Sequence, residues 1–269
     1  MIRALDRIRL VSADPEALAG FYTAALGFSR RPATRPAAGE TVVSLRLGAM
    51  AVDLVGYADP GRPYPSDVPG WSPLFQHIAI VVSDMGAAHA RLATMAGWRA
   101  ISTAGPERLP AASGGVSAFK FRDPEGHPLE FLEFPAGRAP AAWRGAGADV
   151  CLGIDHSAIS VAETEGSLAF YAGLGLTVSA RSTNVGDEQA RLDDVPDPRV
   201  AVTGLRLPDG PTPHLELLCY AGAFPRAGLA CGDRDIAATV LVFASPGVPV
   251  PDAAPRPVRD PDGHRLWLP

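Results

Sequence analysis

The sequence predicts an α+β protein made of four copies of one strand–helix–strand unit, and three recurrences predict it. An apolar strand of fixed length occurs as Arg7-Ile-Arg-Leu-Val-Ser-Ala-Asp14, His77-Ile-Ala-Ile-Val-Val-Ser-Asp84 and His156-Ser-Ala-Ile-Ser-Val-Ala-Glu163, and more faintly as Ala238-Thr-Val-Leu-Val-Phe-Ala-Ser245. A helix end, Phe21-Tyr-Thr-Ala-Ala-Leu-Gly27, is echoed by Phe170-Tyr-Ala-Gly-Leu-Gly175. A turn and closing strand, Asp123-Pro-Glu-Gly-His-Pro-Leu-Glu130, returns as Asp260-Pro-Asp-Gly-His-Arg-Leu-Trp267. The starts of the first strands lie roughly 70 to 80 residues apart, a module length that fits the chain four times.

Module one, 1–58, opens with its strand and continues into a helix signalled by Asp14 as cap, Pro15 at the first turn and Gly27 as stop. Leu18, Phe21, Tyr22 and Leu26 form one apolar stripe, so the helix lies on a sheet. Strands are expected over 28–31, 41–47 and 51–57. The Pro/Gly-rich Asp59–Pro65 separates this module from the next.

Module two, 75–134, carries a helix over 85–95, ending at Gly97, and strands over 116–121 and through Glu130. Between them Gly105–Gly115 is rich in Gly and Pro, a composition of loops shaped around a ligand or of plain surface connections. Residues 135–150 read as the linker between the chain halves 1–134 and 151–269, with Trp143 as its one anchor.

Module three, 151–220, has a helix over 166–175 and strands over 177–182, 199–207 and 214–220, with a polar insert from Asn184 to Asp193 that module one lacks. Module four, 236–269, is truncated to about 30 residues, and the prolines between Pro246 and Pro257 forbid a helix there.

Composition restricts the partners. The 269 residues are 47% hydrophobic and 20% charged with a net charge of −5, so there is no basic footprint for nucleic acid or for an anionic membrane surface. No apolar run approaches the roughly 18 to 20 residues of a membrane span, and the first residues hold no apolar signal core, so a cytoplasmic location is expected. Three cysteines without CxxC spacing indicate neither a disulfide framework nor a cysteine zinc site, and Cys219 reads as a small buried apolar residue.

Four βαβββ-like units, the Phe-Tyr…Leu-Gly helix end, the Asp-Pro-(Glu/Asp)-Gly-His turn, a histidine on the first strand and a glutamate on the last together resemble the vicinal oxygen chelate superfamily. That superfamily includes glyoxalase I, extradiol dioxygenases, methylmalonyl-CoA epimerase and bleomycin resistance proteins. The resemblance implies that modules pair into two half-open mixed β-barrels with helices outside, and that a metal inside is held by first and last strands. The corresponding positions are Arg7 and Asp53, His77 and Glu130, His156 and Glu216, and Ala238 and Trp267. Sequential pairing would leave each barrel half a site, whereas pairing two with three and one with four collects His77, Glu130, His156 and Glu216 in one barrel. The residue distribution favours the second arrangement.

Two imidazoles and two carboxylates suit one divalent ion such as Zn, Ni, Mn, Co or Fe(II), with positions left for a small-molecule substrate. By the same resemblance, Glu130 or Glu216 serves as the proton-moving base of an enediolate-type lyase, isomerase or epimerase. Arg181, Asn184 and Gln189 are candidates to hold a polar substrate, against the plainer reading of a capped surface turn. Glu133, three residues from Glu130, must face the other side of its strand. His127 and His264 read as turn residues, His214 as an exposed strand start that shares parity with Glu216, and His89 as solvated. Two other readings stand beside the glyoxalase type: an Fe(II) extradiol dioxygenase, and a non-catalytic protein that sequesters a drug or metabolite. The oligomeric state is open between monomer and homodimer.

Overall fold

The computed structural model describes residues 2–32, 36–74, 76–144, 149–208, 210–222, 231–245 and 257–269. Module one comprises β1 (Ala4–Val11), α1 (Pro15–Leu26), β2 (Ser29–Arg30), β3 (Glu40–Leu47) and β4 (Met50–Tyr57). Module two comprises β5 (Gln76–Val82), α2 (Met85–Ala93), β6 (Arg99–Ala100), β7 (Glu107–Arg108), β8 (Ser117–Arg122) and β9 (Pro128–Glu133). In module three are β10 (Cys151–Ser160), α3 (Thr164–Leu174), β11 (Thr177–Val185), α4 (Asp187–Asp193), β12 (Arg199–Leu207) and β13 (Gly210–Tyr220). Module four contributes β14 (Val240–Ala244), β15 (Val258–Arg259) and β16 (Arg265–Trp267), while the proline-rich run over 246–256 lies outside the described residues.

The strands form two mixed sheets that do not close. Modules two and three build the nine-stranded sheet, β11-β12-β13-β10-β5-β9-β8-β6 with β7 on β8; modules one and four build the seven-stranded one, β15-β16-β14-β1-β4-β3-β2. Each sheet therefore takes strands from both halves of the chain. None of the helices among the described residues is long and apolar enough to cross a membrane.

Local signals act as their chemistry requires. Asp14 accepts a hydrogen bond from the Ala17 amide, Gly27 ends α1 at φ +74°, and Leu18, Tyr22 and Leu26 are fully buried. The polar insert is not a surface turn: β11 runs through Asn184 to Val185, and α4 follows with Gln189, Leu192 and Asp193 buried. Two smaller expectations also change. Half-buried His89 packs edge-on against Phe119 at 4.7 Å, because α2 lies on the aromatic face of β8, and Cys219 is only half-buried.

The two repeated motifs meet each other. Asp123 accepts the Tyr22 hydroxyl at 3.1 Å and faces His127 Nδ1 at 2.8 Å, while His127 Nε2 lies 2.9 Å from the Val11 carbonyl. In the other half Asp260 accepts the Tyr171 hydroxyl at 2.9 Å, and His264 Nε2 lies 2.9 Å from the Ser160 carbonyl. Gly126 and Gly263, at φ +101° and +92°, supply the left-handed turn that each loop needs. The shared turn thus latches module two onto one, and four onto three.

With one acceptor facing each ring nitrogen, the surroundings of His127 favour its charged form. Burial alone lowers its pKa, but the Asp123 carboxylate and its hydrogen bond outweigh that and raise it. A group raised on folding contributes fully below its unfolded value of about 6.5 and loses that contribution as pH climbs through the folded one. Urea unfolding should show His127→Ala less stable than wild type by about 2–4 kcal/mol at pH 6, with the gap narrowing as pH rises. Tyr22→Phe should cost about 1 kcal/mol with little pH dependence between pH 6 and 8.

Candidate metal and substrate site

The centre of the nine-stranded sheet is the antiparallel pair β5 and β10, flanked by β9 on one side and β13 on the other. Ala79 of β5 faces His156 across one ladder and Glu130 across the other; Ala158 of β10 faces His77 and Glu216 in the same way. Residues directly opposite in a sheet share a face. Two fully buried alanines are thus each bracketed by a histidine and a glutamate, and the small methyl groups leave space where the four longer side chains converge.

They do converge. Glu130 Oε2 lies 3.1 Å from His77 Nε2 and 3.7 Å from His156 Nε2, and Glu216 Oε2 lies 3.6 Å from His156 Nε2. Bonds of about 2.0–2.1 Å to a tetrahedral or octahedral ion require donors about 3.0–3.4 Å apart. The His77–Glu130 spacing lies within that range and the two spacings to His156 a few tenths of an ångström beyond it, and His77, Glu130 and His156 present donor atoms all within 4.8 Å of one another. The donor set and its geometry therefore fit a divalent ion.

Burial and the nearby Lys120 ammonium hold the His77 pKa below its ordinary value. Burial would also lower that of His156, but Glu216, Asp155 and Glu130 outweigh it and raise it well above. The glutamates go the other way: against burial, Lys120 and the two histidines hold Glu130 well below the carboxylate range, and His156 with His214 takes Glu216 to about 2.

Several contributors escaped the sequence reading. Asp155 is buried, accepts the Trp143 indole N–H at 2.8 Å and faces His156 Nδ1 at 3.1 Å. Neighbours in a regular strand point to opposite faces, but the ladder slips between Ile154 and His156, and the bulge brings Asp155 beside the adjacent ring. A carboxylate on Nδ1 leaves Nε2 for a metal. Trp143, the predicted linker anchor, lies against Gly153, where an added Cβ would come within 2.6 Å of its ring. His214 is not simply an exposed strand start: it pairs in register with His156, and its Nε2 lies 3.3 Å from Glu216 Oε1.

The two halves of the site also differ across from the glutamates. Opposite Glu130 on β8 stands Lys120, the sequence's single lysine; opposite Glu216 on β12 stands Gly204. Lys120 is buried and donates to Asp193 Oδ1 at 2.7 Å. Its signal was present in the sequence, as one cation inside an otherwise apolar strand segment, Ala118-Phe-Lys-Phe121.

These residues floor a cavity of about 470 Å³. Leu109 and Ala112–Gly114, from the Gly/Pro-rich passage of module two, form part of one wall, and Gln189 and Leu192 of α4 form another. Of the three substrate-binding candidates, Gln189 is buried, Asn184 is half-buried with its Oδ1 accepting from Ser182, and Arg181 is exposed and paired with Glu165 at 3.3 Å. All three line the cavity.

The seven-stranded sheet shows what replaces a ligand set. Asp53 accepts from Ser44 Oγ at 2.6 Å and pairs with Arg7 at 3.4 Å. On the module-four side the register differs from the sequence alignment. Arg7 faces Val242 and Arg9 faces Val240, as His77 faces Ala158 and Ala79 faces His156. Val240, not Ala238, is therefore the counterpart of the histidines; Ala238 precedes the strand. Trp267 keeps its assigned place opposite Val242, buried beneath the Arg9 guanidinium at 4.1 Å.

Residues 4–131 match the family model of the Glyoxalase/Bleomycin resistance protein/Dioxygenase superfamily. Among solved structures, a glyoxalase I variant from Zea mays is similar over 99% of this chain and 91% of its own, with TM-score 0.62 at 17% identity. Zea mays glyoxalase I in another crystal structure gives 0.54 at 20% identity over 83% and 69%. A provisionally named dioxygenase from Bacillus subtilis gives 0.50 at 14% identity over 81% and 64%. No curated protein matches the sequence. The matched part, modules one and two, belongs to this superfamily, and the whole chain has the fold of the glyoxalase I structure.

Metal analysis of protein purified without chelator should find close to one divalent ion per chain, lost in His77→Ala and in His156→Ala. Asp155→Ala should weaken binding by about 10–100-fold in a chelator competition. Asp53→Asn, in the other sheet, should leave metal content unchanged.

Proposed function

We propose that the protein is a metal-dependent enzyme of the glyoxalase type, a lyase, isomerase or epimerase acting on a small substrate with two neighbouring oxygens. His77, Glu130, His156 and Glu216 hold the ion, which when bound supplies Lewis acidity toward those oxygens. A cytoplasmic location and a monomeric or homodimeric state belong to the same proposal.

The observation that carries this reading is the inequality of the two glutamates. Glu130 is clasped by both imidazoles with its side chain 8% exposed, whereas Glu216 is 23% exposed and shares its Oε1 with His214. Glu130 suits a fixed ligand and Glu216 a base that turns toward substrate. Apart from burial, which raises it, the foremost cause of the low Glu216 pKa is the charge on His156. Glu216 takes the proton from the hydroxyl-bearing carbon beside a carbonyl and returns it to the carbonyl carbon. The hydroxyl proton passes to the former carbonyl oxygen, with His214 on the other carboxylate oxygen of Glu216. The exchange is redox-neutral and needs no co-substrate.

A second reading, an extradiol dioxygenase, is favoured by one observation. The tightest cluster, His77, Glu130 and His156, is a two-histidine, one-carboxylate set of the kind that holds Fe(II) with open positions.

Deuterium incorporation from D₂O into α-hydroxycarbonyl compounds separates the two when run beside oxygen uptake with catechols. Glu216→Gln should keep its metal and lose about 10²–10⁴-fold in exchange rate. Oxygen consumption with retained Fe(II) and no exchange would replace the first reading by the second.

A further inference from the structure

The cavity wall above the ligand cluster contains a polar group whose orientation is forced. Asp193 accepts from Lys120 Nζ at 2.7 Å on Oδ1, and from Gln189 Nε2 at 2.6 Å and the Tyr220 hydroxyl at 2.7 Å on Oδ2. A carboxylate only accepts, so Gln189 must turn its NH₂ toward Asp193 and its oxygen away. Gln189 is 4% exposed, and its Oε1 has no hydrogen-bond partner among the described residues, although the side chain lines the cavity. Buried amide oxygens are rarely left unpaired, and one on a side chain that lines a cavity calls for a donor on whatever occupies it.

The rest of the wall constrains that occupant. Leu109, Leu132, Phe134, Leu192, Val202 and Leu218 surround the space above the site. The cations among the described lining residues are engaged: Lys120 by Asp193, and Arg181 at the rim by Glu165. Asp155, Glu130 and Glu216 make the floor acidic. An anionic substrate would find apolar walls and occupied cations, whereas a neutral body of up to drug size matches both wall and volume.

We infer that the substrate is a neutral, largely apolar compound bearing, besides its two neighbouring oxygens, a hydroxyl or N–H group that donates to Gln189 Oε1, which makes Gln189 a specificity-determining residue. This rests on the chelating site proposed above and adds the substrate class. Asp193, Lys120 and Tyr220 are positioning residues, since they fix the Gln189 amide without facing the donor. The position also explains why α4 belongs to module three yet packs on module two: Arg191 grips Glu107 at 2.7 Å, and Ser102 Oγ donates to the Leu192 carbonyl at 3.1 Å, which anchors the helix over the cavity.

The test is calorimetric binding to metal-reconstituted protein, with benzoin as a neutral aryl α-hydroxyketone, its ring-monohydroxylated isomers, and S-hexylglutathione as an anionic probe. At least one hydroxylated isomer should bind about 10-fold or more tighter than benzoin. In Gln189→Met that preference should shrink to within about 2-fold with metal content unchanged. Asp53→Asn, in the other sheet, should keep the preference. Tightest binding by S-hexylglutathione, or no binding by any neutral probe, would overturn the substrate class. A preference that survives Gln189→Met, or vanishes equally in Asp53→Asn, would overturn the role of Oε1. Failure of the reaction reading shows separately, as absent metal uptake or absent proton exchange with the hydroxyl preference intact.

Discussion

The antiparallel ladder between β5 and β10 is the contact on which the site depends. It joins module two to module three, and its register alone decides that Ala79 and Ala158 lie opposite His156 and His77. A slip of one residue would put the two histidines on opposite faces of the sheet. The parallel neighbours β9 and β13 then bring one carboxylate to each alanine from outside. Four polar side chains can meet there because two positions are as small as alanine.

The same ladder is copied between β1 and β14, without the site. There Arg7, Asp53 and Ser44 form a closed set of contacts, and Val240, Val242 and Trp267 fill the opposite side. Asp53 has its charge met by Arg7 within its own module, so no ion is called for. In the functional sheet the carboxylates are met by imidazoles and by Lys120, groups that are either weakly basic or already bound to Asp193. The two sheets represent two ways of balancing an inward carboxylate, one with a permanent cation and one with exchangeable partners.

Much of this was legible in the sequence because it repeats. Strand starts, the helix cap at Asp14 and the repeated His/Glu pair of modules two and three follow from periodicity and register, while their inward placement was implied by the family resemblance. What was not legible depends on departures from regularity or on distance. Asp155 was hidden because the alternation rule assigns it to the far face, and only the bulge reverses that. Lys120 comes from module two and Asp193 and Tyr220 from distant parts of module three, and nothing in the spacing of any one of them announces the others. Val240 was displaced by two positions because module four is short and its apolar strand aligns almost equally well in either frame. The motif histidines, by contrast, were legible as turn residues but not as latches, since their partners Val11 and Ser160 are backbone carbonyls.

The latches and the sheets join different pairs of modules, and the order closes on itself. One meets two through the Asp123 turn, two meets three through β5 and β10, three meets four through the Asp260 turn, and four meets one through β14 and β1. A ring of this kind has no free-standing half. A cut within 135–150 would leave each fragment with two bare sheet edges, β1 and β5 in one, β10 and β14 in the other. Exposed edges of that length recruit other chains. Such fragments should regain order only by finding each other, so that the severed molecule behaves as an obligate complementing pair rather than as two domains.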